Sequence, residues 1–256
     1  MADTVSDALL ARLVDWGVDT IFGLPGDGIN GFMEALRKRQ DGVRFVHTRH
    51  EETAALAACG YAKFTGKLGV CISTAAPGAI HLLNGLYDAM VDQAPVLAIT
   101  GMTYHDLIGT KYLQDINHDY LFENVASFNQ RLMGPAHVEN MVNLACRSAL
   151  SNRTVSHICI PIDYQVMEMD EADRFKRNVP GHTAGPDAFV IPRAVPPQSE
   201  LERAAELLRG KKKPAILAGA GARGGTARGT TNASAPAVWP GTFRLKRSLS
   251  SISITW

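Results

Sequence analysis

The sequence lacks a charge excess, a long apolar run and a recognisable leader. Its 26 lysines and arginines nearly balance 25 aspartates and glutamates, giving a formal net charge of +1 and no electrostatic footprint for nucleic acid. No apolar stretch approaches the roughly 20 residues that a transmembrane helix needs, and the acidic first residues lack the apolar core of a secretory signal. These absences predict a cytoplasmic protein with no nucleic-acid partner and no transmembrane segment.

Cysteine is scarce, and neither its spacing nor that of histidine is typical of a metal site. The four cysteines have no CxxC spacing and lie in apolar segments, so we interpret them as reduced core residues of a cytosolic protein. The histidines other than His81 show no ligand spacing and are predicted to be structural or surface groups. No metal ligand is predicted. These residues are Cys59, Cys71, Cys146, Cys159, His47, His50, His105, His118, His137, His157 and His182.

Acidic residues are absent from the last part of the chain. Residues 226–256 contain no aspartate or glutamate, carry four basic residues, and are rich in threonine, serine and alanine without a clear period. We predict a basic tail without regular structure. One hypothesis is a disrupted reading frame or a gene fragment. The alternative is a natural flexible basic tail.

Upstream of the tail, strand-like and helix-like patterns alternate. Leu68–Thr74 is almost wholly apolar, which is typical of a strand covered on both faces, whereas the segment from 101 to about 129 is less regular. The pattern predicts an α/β fold with a mainly parallel sheet, helices on both faces and ligand sites at the carboxyl ends of the strands. The predicted domains are residues 1–170, a linker over 171–197, and the incomplete start of a second α/β domain over 198–225.

Two adjacent glutamates open an alanine-rich helical segment. A strand-like pattern over 43–48 leads into Glu51 and Glu52. At helical spacing Glu51 is in phase with Ala54, Ala55, Ala58 and Ala62, so it is predicted to face inward, and Glu52 to face outward. A carboxyl group held in such a dry position suits proton transfer. The alternative is that both are ordinary first-turn acids that complement the helix dipole.

Five motifs in the same order resemble the N-terminal, pyrimidine-binding domain of thiamine-diphosphate enzymes of the pyruvate oxidase and acetolactate synthase group. Together they extend over about two thirds of the chain, so the match is far more specific than any one motif. The five segments are Phe22–Gly26, Arg49–Glu52, Ser73–Ala89, Pro95–Gly101 and Tyr112–Asp115.

The resemblance implies roles for particular residues. Glu51 corresponds to the catalytic glutamate, which hydrogen-bonds the aminopyrimidine ring of the cofactor and promotes loss of the thiazolium proton. Thiamine diphosphate is therefore expected as the cofactor, held here by its pyrimidine half only. Mg²⁺ and FAD are expected of the intact family, but their sites are mostly absent from these residues. The cofactor-binding residues implied are Pro25, Gly26, Glu51, Thr74, Pro77, Gly78, His81, Asn84 and Gln114.

Departures from the family pattern refine this interpretation. His81 favours the pyruvate oxidase side, since acetolactate synthases usually have asparagine there. Most relatives carry glycine where Ala76 stands. Leu113 and Asp115 differ from the common residues beside Gln114.

Two glycine motifs are not interpreted as ligand-binding sites. Gly26-Asp27-Gly28 copies the start of a metal-diphosphate signature, but no asparagine lies between Asn30 and Asn84, so we predict a turn. Gly219–Gly224 fits GxGxxG after a strand-like segment, yet the acid expected about 20 residues later in a dinucleotide site is missing. A stand-alone nucleotide-binding module is therefore the weaker alternative.

The leading functional hypothesis is a fragment of an enzyme resembling pyruvate oxidase or pyruvate dehydrogenase (quinone), which acts on a 2-keto acid such as pyruvate. Because these residues contain no diphosphate-binding domain, we expect no activity from them alone. The alternatives are a fragment resembling the acetolactate synthase large subunit, or a non-catalytic partner of a full-length relative. A homodimer or pairing with a full-length homologue is expected.

Overall fold

The computed structural model describes residues 3–174, 183–192 and 195–210, and the backbone of 244–248 and 251–255. The chain forms two compact units, Met1–Ile191 and Pro192–Trp256, and every predicted site residue lies in the first. The first unit contains seven helices and six strands within its described residues. The helices are α1 Val5–Asp15, α2 Asn30–Lys38, α3 Glu51–Thr65, α4 Pro77–Val91, α5 His118–Phe122, α6 Val138–Asn152 and α7 Ile162–Gln165; the strands are β1 Thr20–Gly23, β2 Arg44–His47, β3 Gly69–Ser73, β4 Val96–Met102, β5 Ala126–Arg131 and β6 Val155–Pro161.

The six strands form one sheet in the order β2-β1-β3-β4-β6-β5, and every pair is parallel. Strands β3, β4 and β6 are buried along their whole length, as expected for central strands of a parallel sheet. The predicted α/β class with a parallel sheet is confirmed.

Helices cover both faces of the sheet. Alternate strand residues enter two separate apolar clusters, so that Ile72 and Ile99 join the cluster with α1, α2 and α6, whereas Cys71 and Ala98 join the cluster with α3 and α4. This alternation is the two-residue period of a strand. Helix α1 begins at a reciprocal capping box formed by Thr4 and Asp7.

Helices α3 and α4 pack closely because small residues line their contact. A side-chain carbon on Gly85 would lie 2.5 Å from the backbone nitrogen of Leu56. Ala54, Ala55 and Ala58 are fully buried at the predicted positions. This close contact holds the amino ends of the two helices beside each other.

The segment around 126–131 differs from the sequence expectation. It was predicted to be irregular up to about 129, but Ala126–Arg131 forms the edge strand β5 beside β6. The strand is only partly buried and has a register irregularity between Ala126 and Phe128, so its sequence shows neither a continuous apolar run nor strict alternation.

The second unit contains helix α8, Gln198–Leu208. Strands β7, Arg244–Ser248, and β8, Ser251–Thr255, pair antiparallel, so the expectation of a tail without regular structure does not hold for these residues. Isoleucine and serine alternate in Ser251–Thr255, a two-residue period that favours a strand. The motif Gly219–Gly224 lies outside the described residues. None of the described helices has the length and apolar character needed to cross a membrane.

Candidate active site

The candidate site lies where neighbouring strands of the sheet end. Strand β1 leads into Pro25 and Gly26, β2 leads into Glu51, and β3 leads into Thr74. Strand β1 lies between β2 and β3, so these three loops meet at one edge. Crevices at the carboxyl ends of parallel strands are the usual ligand sites of such folds.

Glu51 is the buried acid of this edge. It is the first residue of α3 and only 6% exposed, whereas the Glu52 side chain is 39% exposed. The predicted inward and outward directions of the two glutamates are thus confirmed. Glu51 thus lies at the amino end of α3, where the helix dipole carries partial positive charge.

One oxygen of Glu51 contacts His81, and the other faces a glycine. His81 Nδ1 lies 3.0 Å from Glu51 Oε2. A side-chain carbon on Gly78 would lie 3.1 Å from Oε1, and no described residue hydrogen-bonds that oxygen. Oε1 of this buried carboxylate is therefore available to accept a hydrogen bond from a ligand.

The loop after β1 is fixed against the loop after β3. Gly28 N donates to Thr74 Oγ1 at 3.0 Å, and a side-chain carbon on Gly26 would lie 2.6 Å from Thr74 Cβ. A side-chain carbon on Gly101 would lie 2.0 Å from the Gly28 carbonyl oxygen. Glycine is required at these positions because backbone packs directly on its neighbour. Asp27–Ile29 forms a short 3-10 turn, as predicted for the Gly26-Asp27-Gly28 motif.

The turn into α4 has an unusual backbone. Ala76 precedes Pro77, the first residue of the helix, and has φ 35° and ψ −93°. A residue with a side chain is strained at this angle, whereas glycine is not. The substitution noted in the sequence, alanine where most relatives have glycine, therefore falls on the one residue of this turn with positive φ.

Three implied cofactor residues make no hydrogen bond to Glu51 among the described residues. Asn84 donates to Glu52 Oε1 at 2.7 Å, on the outward side of α3. Pro25 is exposed. Gln114 lies in the loop between β4 and α5, with φ 60°. Their contacts with a cofactor stay predictions.

Two residues of this edge were not predicted. His50 was interpreted as a structural or surface group, but its ring stacks on His81 with centroids 4.5 Å apart, and its Nδ1 accepts from Glu52 N at 3.2 Å. Its position immediately before the helix was the available signal, since a side-chain acceptor is expected there.

The second missed residue is Gln165, which is fully buried. Its Oε1 accepts from Gly31 N at 3.0 Å, and its Nε2 donates to the carbonyl oxygens of Gly28 at 2.8 Å and Ile160 at 3.1 Å. It ties the loop after β1 to the end of β6. No local sequence pattern indicates this role, because Gly28 and Gly31 are more than 130 residues away along the chain.

Comparison with known proteins agrees with this geometry. Residues 3–123 match the family described as "Thiamine pyrophosphate enzyme, N-terminal TPP binding domain". The N-terminal part of the chain is similar to this family. The resemblance inferred from the five motifs is thereby confirmed.

Three relatives illustrate the family. YdaP of Bacillus subtilis (strain 168), named as a thiamine pyrophosphate-containing protein, is 42% identical over 85% of this chain and 36% of its own length. Pyruvate oxidase of Lactiplantibacillus plantarum is 33% identical over 84% and 35%. The acetolactate synthase large subunit of Corynebacterium glutamicum is 32% identical over 85% and 34%. The chain thus spans about a third of the length of these relatives.

Proposed function

We propose that the edge around Glu51 binds the aminopyrimidine half of thiamine diphosphate and that Glu51 exchanges the proton that activates it. The observation that carries this proposal is the buried carboxylate with Oε1 facing Gly78. When bound, the cofactor supplies the carbanion chemistry. Glu51 holds the ring by a charge-assisted hydrogen bond and takes or gives the proton at the ring nitrogen.

The residues of this edge fit such a ligand. Gly26 and Gly78 let their backbone pack directly against Thr74 and Glu51, which fixes the backbone around the carboxylate. Because His81 contacts Oε2, it orients the carboxylate and leaves Oε1 for the ring nitrogen. The neighbouring amino end of α4 adds partial positive charge beside Oε1.

The strength of this half-site can be bounded. A hydrogen bond to a charged group contributes about 1.5–3 kcal/mol, whereas millimolar binding needs about 4 kcal/mol. Ring burial must supply the remainder. We therefore expect weak binding from the pyrimidine contacts alone, with a dissociation constant of about a millimolar or higher.

The test compares two neighbouring glutamates. Ligand-observed NMR saturation transfer to thiamine diphosphate is measured with the wild-type chain, Glu51→Gln and Glu52→Gln. We expect transfer to the pyrimidine protons in the wild type and Glu52→Gln, and a loss of about tenfold or more in affinity for Glu51→Gln, which removes the charge but keeps the shape. Equal transfer in all three proteins would overturn the proposal.

We further propose that the intact enzyme acts on a 2-keto acid such as pyruvate. His81 and the match to a pyruvate oxidase support the oxidase-like chemistry, and the match to an acetolactate synthase large subunit supports the alternative. The chain mixed with a diphosphate-binding domain of a relative should consume pyruvate in a Glu51-dependent way. Acetolactate as the product would favour the alternative, and pairing without turnover would favour a non-catalytic partner.

Pairing with a second copy or a full-length homologue is the partner we propose. Helices α3 and α4 expose a set of large apolar side chains, which water disfavours. Light scattering should find a dimer whose dissociation constant rises in Tyr87→Glu, whereas a monomer at all concentrations, without binding to a full-length relative, would contradict the pairing. The exposed set is Leu56, Phe64, Ile80, Tyr87 and Val91, which are 44%, 78%, 46%, 42% and 72% exposed.

A further inference from the structure

Three metal-binding side chains converge at the candidate site. The donor atoms of His50, Glu51 and His81 all lie within 4.8 Å of one another. The Glu51 and His81 atoms are already 3.0 Å apart. Because His81 lies 30 residues from Glu51 along the chain, sequence spacing did not reveal this set.

The set matches the preference of one class of ion. Two imidazoles and one carboxylate, with further positions open, are the ligands of many zinc sites. Bonds of about 2.1 Å in a tetrahedral arrangement put two donor atoms about 3.4 Å apart, so the cluster must contract by at most about 1.4 Å. The side chains of His50 and His81 are 48% and 46% exposed, so both rings border solvent, into which they can move.

Glu52, itself held by Asn84, can orient His50 towards an ion. His50 Nδ1 lies 3.9 Å from Glu52 Oε2, and Asn84 holds the other oxygen of Glu52. If His50 binds an ion through Nε2, its Nδ1 carries the proton and must give up the bond from Glu52 N. The Glu52 carboxylate is then the nearby acceptor, which gives the carboxylate–histidine–metal arrangement common in proteins.

We propose that His50, Glu51 and His81 form a binding site for a borderline divalent transition-metal ion such as Zn²⁺. Mg²⁺ is not expected to bind here, because it prefers oxygen ligands and the set offers only one carboxylate. A consequence, which rests on the proposed function, is that the ion and the aminopyrimidine ring compete for Glu51.

Calorimetric titration with zinc chloride in a non-chelating buffer tests the site. We expect one equivalent bound by the wild type, and affinity weaker by about tenfold or more in His50→Gln and in His81→Gln. His47→Gln is the control, since His47 is a nearby exposed histidine at the end of β2, and it should bind as the wild type does. MgCl₂ should give no saturable heat.

Unchanged zinc affinity in both variants, or equal loss in His47→Gln, would overturn the site. Circular dichroism checks that the variants fold. If a variant does not fold, Co²⁺ titration of the wild type decides: a visible absorption band typical of four- or five-coordinate Co²⁺ with nitrogen ligands supports the site, and its absence refutes it.

Competition separates this proposal from the proposed function. Thiamine is the competitor, because it lacks the diphosphate that would itself bind the metal. Displacement of zinc by thiamine supports the shared use of Glu51. Zinc binding that thiamine does not displace supports the metal site and counts against the pyrimidine site. Glu51-dependent cofactor binding without zinc binding supports the pyrimidine site and counts against the metal site.

Discussion

Two buried histidines predict that the protein loses stability in acid, and the size of this loss can be calculated. Thr100 Oγ1 lies 3.0 Å from His118 Nδ1 and 2.9 Å from His157 Nε2. Asn129 donates from Nδ2 to the Asp119 carbonyl oxygen, so its Oδ1 faces His157 Nδ1 at 2.7 Å. His157 Nδ1 therefore donates, its Nε2 accepts from the Thr100 hydroxyl, and Thr100 accepts from His118 Nδ1.

This chain of hydrogen bonds leaves His118 Nε2 buried as a bare acceptor without a partner among the described residues. Protonation would place a proton there with nothing to receive it. Burial lowers the pKa of His118 from 6.5 to about 4, and burial followed by the charge of His118 lowers the pKa of His157 well below its ordinary value.

The sign and size follow from linkage between protonation and folding. The pKa of His118 is depressed in the folded state. The free energy of unfolding is therefore unaffected by this histidine above pH 6.5, and it decreases as the pH falls towards about 4. One pKa unit corresponds to about 1.4 kcal/mol, so full protonation of His118 costs about 3 kcal/mol and the loss at pH 5 is about 2 kcal/mol.

Urea unfolding at pH 7.5 and pH 5 measures this loss in three proteins. His118→Asn does not titrate but keeps an N–H donor near the position of Nδ1, so it should lose about 2 kcal/mol less than the wild type between the two pH values. His47→Asn, at an exposed position, should behave as the wild type. An unchanged pH dependence in His118→Asn would refute the reasoning.

Three further changes test the packing around the candidate site, each by urea unfolding. Gln165→Met leaves backbone groups of Gly28 and Gly31 unpaired and should cost about 3 kcal/mol; a cost below about 0.5 kcal/mol would contradict the bridging role. Gly85→Ala should cost about 1–3 kcal/mol because its new carbon meets α3, whereas the control Gly60→Ala, with nothing within 4 Å, should stabilise by about 0.5–1 kcal/mol. Ala76→Gly should stabilise by about 1 kcal/mol, since it relieves a positive φ, and destabilisation would show that the turn is not strained.

Local patterns sufficed where a residue and its partners share one helix or strand. The phase of Glu51 with the alanines of α3 predicted its burial, and the apolar run of β3 predicted a central strand. In both cases a period of the backbone decides which side of the element meets the core.

Long-range contacts were beyond such patterns. The half-buried edge strand β5 shows no clear period, and Gln165 bonds Gly28 and Gly31, which are more than 130 residues away along the chain. Asn84 illustrates the same limit, since a difference of one turn on α4 places it beside Glu52 and His81 beside Glu51. The packing of α3 against α4 decides which glutamate each of these residues contacts. The small residues allow this packing but do not specify it.

The most direct test of the proposed pyrimidine site is the ¹⁵N resonance of the pyrimidine ring nitrogen N1′ in labelled thiamine diphosphate. With the wild-type chain and with Glu52→Gln in excess, we predict a shift of this resonance, because N1′ either accepts a hydrogen bond from the protonated Glu51 carboxyl group or takes its proton and donates to the carboxylate. With Glu51→Gln at the same concentration the shift should be lost. A shift of equal size with Glu51→Gln, or none with the wild type when the ligand is shown to bind, would contradict the assignment of Glu51.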